Sequence, residues 1–208
     1  RSMSWHPLAL TPSGFSAAPT LKLHDPLAAL LGAAPHGLIE YGFADVVKLA
    51  GHSCPTVASA YLMACRGLTA LYGSELPQRG GIRVELAGQA TEGVVGVIAS
   101  VLTLLTGATG QTGFKGLGGR FDRRHLLAFG IAMQGQVRFT RVDTGAQVEA
   151  RSHLDRLPTD PQIGTLMPRC VAATATADEL MLFQSLWQER VRALLVDHAD
   201  EVIELIHP

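Results

Sequence analysis

The chain is 208 residues long, enough to bury a substantial single core, and its 17 Lys and Arg nearly balance 18 Asp and Glu. Near-neutrality leaves no broad field of one sign to draw in nucleic acid, so no nucleic-acid partner is expected. Hydrophobic residues make up 47% and charged residues only 17%; on a chain of this size that predicts a large oligomer interface or a ligand cavity, and of the two a homodimer is expected.

Residues 1–24 are rich in Pro, Ser and small side chains without a sustained period, and read as an extended arm. Asp25-Pro26 then supplies an N-cap and a first-turn proline for a short helix ending near Gly32. Residues 38–41 read as a brief strand and 43–50 as a short helix stopped at Gly51. The spacing predicts the clearest helix over 55–72. Pro55 suits its first turn, Gly73 closes it, and Val57, Tyr61, Ala64, Leu68 and Leu71 recur at three- and four-residue steps. Ile82, Val84 and Leu86 alternate with Arg83 and Glu85, the pattern of a strand. Residues 94–106 are apolar on most sides and predict a fully buried helix ended by Gly107. They fall well short of the ~20 apolar residues a bilayer span needs.

The stretch from Gly107 to Arg120 is too rich in glycine to hold a regular element. Strands are predicted over 126–132, 137–142 and 146–151, with Asp143-Thr144-Gly145 as a hairpin loop between the last two. Residues 152–175, with Pro158, Pro161 and Pro168, read as irregular. Thr176 and Glu179 form a capping box that opens a long helix to about Val196, its buried face marked by Leu180, Phe183, Trp187, Val191 and Leu194. A short helix over 200–206 is expected to dock on it. Helices and strands come in clusters without βαβ alternation, which argues for an α+β fold. The expected organisation is the arm at 1–24, a core at 25–151 and a helical C-terminal extension at 152–208 packed on the core.

The three cysteines, Cys54, Cys65 and Cys170, are odd in number, widely spaced and without a CxxC pair, against both a disulfide framework and a zinc ribbon. Arg1-Ser2-Met3 reads as a cloning scar, and no basic-then-apolar leader follows it, so a cytoplasmic address without a membrane partner is expected.

The segment that carries chemistry is Gly51-His52-Ser53-Cys54-Pro55. It falls at the start of the long helix, where unpaired N–H groups and the dipole favour negative charge on a sulfur. An imidazole and a thiolate two residues apart suit zinc or iron if the turn is extended. The alternative is an inert, packed cysteine beside a histidine at a helix end. Residues 107–120, with Lys115 and Arg120, can wrap a phosphate or carboxylate with backbone N–H groups, though they match neither the P-loop nor the dinucleotide fingerprint. The alternative there is a tightly turning surface loop. Asp122, Arg123, Arg124 and His125 read as a salt-bridged strand entrance, and Cys65 as core packing.

Gly51-His52-Ser53-Cys54-Pro55, followed by a helix of small residues with Tyr61, resembles the opening signature of the FmdE family, named for a component of formylmethanofuran dehydrogenase. Leu105-Thr106-Gly107-Ala108-Thr109 and Lys115-Gly116 are similar to the family's Leu-Thr-Gly-Cys-Thr and Gly-Lys-Gly-Asn, and the similarity spans roughly residues 25–150. The resemblance implies an α+β core with a small mixed or antiparallel sheet packed by helices, in an intertwined homodimer without the C-terminal zinc finger of some members. It also implies a metal site, zinc or iron, that uses His52 and Cys54. Thr106, Gly107, Lys115, Gly116 and Arg120 would then face a ligand. The sequence departs from the pattern at Ala50, Thr56, Leu62 and Ala108, where the family has His, Gly, Arg and Cys. A metal here would draw further ligands from His125, Glu92, Cys170, a second copy of the chain or a bound molecule.

The function so implied is a metal-binding protein with an open site, acting on or sensing a small anionic molecule. Cys54 would be ligand or nucleophile, His52 ligand or general base, and Lys115 with Arg120 the anion clamp. A non-catalytic metal or cofactor carrier and a haem- or tetrapyrrole-binding protein are the alternatives.

Overall fold

The computed structural model describes residues 15–207. Arg1-Ser2-Met3 and most of the expected arm lie outside these residues. The rest of that segment is tied down. After a 3-10 turn at Phe15–Ala17, strand β1 (Leu21–His24) pairs antiparallel with β2 (Leu38–Tyr41). Phe15 meets Phe43 edge-on at 4.8 Å between ring centroids, and the Tyr61 hydroxyl donates to the Pro19 carbonyl oxygen. Between the two strands runs helix α1 (Pro26–Leu31), capped by Asp25, whose Oδ1 accepts the N–H groups of Leu27 and Ala28 at 2.9 and 3.1 Å.

Helix α2 (Phe43–Ala50) ends at Gly51, and α3 (Pro55–Tyr72) begins four residues later. Of the stripe read from the sequence, Val57, Tyr61, Ala64 and Leu68 are shut off from solvent, and Leu71 is partly buried against the core. α3 is the axis of the core. Gly67 brings it down onto the sheet: a Cβ there would lie 2.8 Å from the Phe139 ring.

That sheet has five strands: β3 (Ile82–Leu86), β4 (Leu127–Ala128), β5 (Val137–Arg141), β6 (Gln147–Ser152) and β7 (Ile203–Ile206), in the spatial order β4-β3-β5-β6-β7. β4 runs parallel to β3 and the other pairings are antiparallel, with Val84 opposite Phe139 and Phe139 opposite Val148. α3 packs across β5, β6 and β7. Around its other sides lie α2, α4 (Val95–Thr106) and α6 (Ala177–Val196), which hairpins back on α5 (Pro161–Val171). The single turn α7 (Ala199–Val202) leads into β7. The fold is α+β with a mixed sheet. Among the described residues no helix is long and apolar enough to cross a membrane.

Several expectations change. α4 is not fully buried: Ile98, Val101, Leu102 and Leu105 face the core, while Val94 and Val97 are exposed because no described residue covers that side. The strand read over 126–132 keeps only Leu127–Ala128, since Gly130 turns left-handed (φ 68°) and ends the pairing. α5 forms where prolines suggested irregular chain. Pro161 occupies the first turn after an Asp160 cap, and Pro168 removes only one donor farther on. The last residues form a strand in place of a docked helix, because alternating Ile203 and Leu205 lie against the open edge of β6, Leu205 opposite Ala150. The long helix α6 is buried only toward its end, at Val191, Leu194 and Leu195; Leu180 is exposed.

Candidate functional site

The turn between α2 and α3 is held from two sides. Gly51 takes the left-handed conformation that stops α2 (φ 76°), and Cys54 is the N-cap of α3, its Sγ accepting the N–H of Val57 at 3.4 Å. From α6, Trp187 Nε1 and Gln188 Nε2 both donate to the Ser53 carbonyl oxygen, at 2.9 and 3.3 Å. Cys54 is half-buried and packs on the core. His52 is exposed, with Nδ1 3.1 Å from the Ala50 carbonyl oxygen. The two donors read from the sequence are therefore neighbours at a helix start. Among the described residues, however, no three His, Cys, Asp or Glu side chains gather where they could hold a metal ion, so His125, Glu92 and Cys170 do not complete the pair. A catalytic zinc site takes about three protein ligands. His52 and Cys54 alone do not make one.

The glycine-rich segment is stitched down. Gly107 closes α4 in the left-handed region. The Thr106 hydroxyl is fully buried, donating to the Leu102 carbonyl oxygen at 2.7 Å and accepting from the Ala108 N–H at 3.2 Å, so the helix end uses it up. Leu117 and Arg120 exchange backbone hydrogen bonds, the Arg123 N–H donates to the Phe114 carbonyl oxygen, and Thr109 holds the Arg123 carbonyl oxygen through both its N–H and its hydroxyl. Gly116 packs against the backbone of Arg120, and Lys115 is exposed.

Arg120 lines a polar cavity of about 470 Å³, together with Pro26, Gln78, Arg79, Gly80, Phe121, Asp122 and Arg123. Lys115 does not. No sequence motif marks Arg79 and Arg123, the residues that dominate this mouth. Arg123 Nη2 donates to Asp25 Oδ1 at 2.8 Å, and Arg79 Nη1 to Asp25 Oδ2 at 3.1 Å. Arg79 also spends Nε and Nη2 on the Leu104 carbonyl oxygen near the end of α4. The Arg123 side chain is 7% exposed and fills a slot between Gly80 and Gly107, where an added Cβ at either glycine would collide with Nη1. Its Nε and Nη1 have no hydrogen-bond partner among the described residues.

Burial pushes the Asp25 pKa up. The Ala28 N–H and the guanidiniums of Arg123 and Arg79 outweigh it, and the net shift is downward. Arg124 grips Asp122 at both oxygens and, by that hydrogen bonding, pulls its pKa down to about 2. Arg120 lies 4.6 Å over the Phe121 ring and, among the described residues, has no carboxylate partner within ion-pair distance. Three guanidiniums, those of Arg79, Arg120 and Arg123, thus line the cavity with the one carboxylate of Asp122, which Arg124 holds from outside the lining, and Asp25 is shared by Arg79 and Arg123. The surplus is positive and concave.

No family model matches the chain, and no curated protein matches it either.

Proposed function

We propose that this protein binds a small anionic molecule at the arginine mouth formed by Arg79, Arg120 and Arg123. One observation carries the reading: Arg120, with no carboxylate partner within ion-pair distance among the described residues, lines a polar cavity together with Arg79 and Arg123, which share the single carboxylate of Asp25. Burying a charge is unfavourable unless it is paired and hydrogen-bonded. An anion seated in the mouth pairs with the free Arg120 guanidinium and adds negative charge beside the two arginines that share Asp25. Planar guanidiniums suit carboxylate or phosphate oxygens in particular. This keeps the anionic ligand that the FmdE resemblance implies and moves its clamp from Lys115 to Arg79 and Arg123, with Arg120 retained at the rim.

The test is calorimetric titration of the full chain with inorganic phosphate and with citrate, at low and high salt. Arg120→Ala, which removes an exposed side chain and leaves the core alone, is expected to weaken binding about tenfold without moving the melting temperature. Absence of saturable binding of both anions at low salt overturns the reading.

A metal held by His52 and Cys54 with donors from outside the chain is a second reading, favoured by a half-buried cysteine at the start of α3 with an exposed histidine two residues before it. Zinc and iron content unchanged in Cys54→Ala removes it. We also propose a homodimer through the outer face of α4. The support is apolar surface along that helix: Val94 and Val97 are exposed, and Leu49, Leu104 and Phe129 line a shallow depression with Gly96 and Ala99.

A further inference from the structure

Inorganic phosphate does not fill the arginine mouth. A water-sized group takes ~30 Å³, so a phosphate occupies about a third of a cavity of about 470 Å³. Phe121 and Pro26 give the remaining space apolar surface, and both are partly open to solvent. Phe121 holds a left-handed backbone (φ 65°), which is uncommon for an aromatic residue. In that conformation its ring lies beneath the exposed Arg120 side chain, with the guanidinium carbon 4.6 Å from the ring centroid. Cation and ring thus form one surface, a planar guanidinium backed by an aromatic face. Stacking also orders Arg120 before any ligand arrives, so less freedom is lost on binding.

The charge around the cavity sets a second requirement. Asp122 is cancelled by Arg124, and Asp25 offsets only one of Arg79 and Arg123. Arg120 and one further positive charge are left over. Arg79 and Arg123 act through space: the Arg79 nitrogens are engaged by Asp25 and the Leu104 carbonyl oxygen, and Arg123 is buried. Arg120 is the donor that a ligand touches. A surplus of two positive charges suits a phosphate monoester, which carries about −1.5 to −2 at pH 7, better than a single carboxylate. A ring on that ester meets Phe121, Pro26 and the Arg120 plane, and flat aromatic rings stack on both aromatic and guanidinium faces. Building on the anion reading of this mouth, we propose that its ligand is an aromatic phosphate monoester, the phosphate held by Arg120 in the field of Arg79 and Arg123 and the ring set against Phe121 and Pro26.

Phenyl phosphate is the minimal probe. Its controls are inorganic phosphate, which keeps the charge and lacks the ring, benzoate, which keeps the ring with one charge, and phenol, which has the ring alone. Calorimetric titration of the full chain at low salt is expected to show saturable phenyl phosphate binding, at least about fivefold tighter than inorganic phosphate or benzoate, with no saturation by phenol. Phe121→Ala should bring phenyl phosphate down to the affinity of inorganic phosphate, which itself should move by less than about threefold. Arg120→Lys keeps the charge and loses the plane, so it should also remove the advantage of the ring while the melting temperature holds. Equal affinity of the native chain for phenyl phosphate and inorganic phosphate overturns the proposal and leaves the anion reading standing. Benzoate binding as tightly as phenyl phosphate overturns it as well, and so does an advantage of the ring that survives both substitutions. Absence of saturation by phenyl phosphate and by inorganic phosphate alike removes the anion reading with it.

Discussion

Replacing Asp25 by Asn removes one negative charge from a buried site while keeping its size and an oxygen that can still cap α1. In the native chain that carboxylate accepts two backbone N–H groups and two guanidiniums, and its side chain is 5% exposed. Removing one partner of a buried ion pair costs about 3–5 kcal/mol, because the other charge stays behind. Arg79 is partly exposed and keeps its bonds to the Leu104 carbonyl oxygen, so the loss falls mainly on Arg123 and belongs at the low end, about 3 kcal/mol. For a chain of this length that is a fall in melting temperature of about 6–12 °C. Asp25→Ala also removes the cap, worth about 1 kcal/mol more, so the difference between the two variants isolates it.

Urea denaturation read by circular dichroism measures both. The same carboxylate sets a pH dependence. Its folded pKa lies below the ordinary value of 3.8, so its contribution is present above that value and drains away as the pH falls through the folded pKa. The wild type should therefore lose stability on acidification below about pH 4 more steeply than Asp25→Asn. A loss under about 1 kcal/mol in Asp25→Asn would refute the reasoning, for it would mean that Arg123 is solvated in that slot.

Gly107→Ala places a methyl group against Arg123 Nη1 at a residue with φ 74°, and should destabilise the chain by at least about 1 kcal/mol in the same urea assay. Gly110→Ala, with open space around the added carbon and no positive φ, should stay within about 0.5 kcal/mol of wild type. Val97→Glu puts a charge on the exposed face of α4 and should shift sedimentation velocity from dimer to monomer with the far-ultraviolet spectrum unchanged; a wild type that sediments as a monomer at high concentration removes the dimer.

Much of the fold is legible in the sequence because local rules carry it. The Pro55 start, Gly73 stop and apolar stripe of α3 are properties of neighbouring residues, and so is the alternation of β3. The misses share a physical cause. Residues 94–106 look apolar from every side, and a pattern of that kind does not say which side a single chain will cover. Pro161 and Pro168 look like breakers, although a proline right after Asp160 is a helix start. The four residues of β7 are too few to carry a pattern. Their strand exists only because β6 offers an edge to pair with, Glu149 opposite Ile206 and Ser152 opposite Ile203.

The site divides along the same line. His52 and Cys54 are visible as a short motif, and the structure keeps them together at a helix start, but a two-donor corner does not decide a chemistry. Arg79 has no motif, and Arg123 shows only as part of a charged cluster expected to form salt bridges, because their partner Asp25 stands 54 and 98 residues away. What the sequence does hold is the spacing material: Gly80 after Arg79, and Gly107 after Thr106. Each glycine looks like loop composition. In the fold, they are the two walls of one slot, cut to the width of a guanidinium. A side chain on either wall would push Arg123 out of line with Asp25. Both glycines also take positive φ, 86° at Gly80 and 74° at Gly107, so the residue type that the turn requires is the one that leaves the slot clear for the charge.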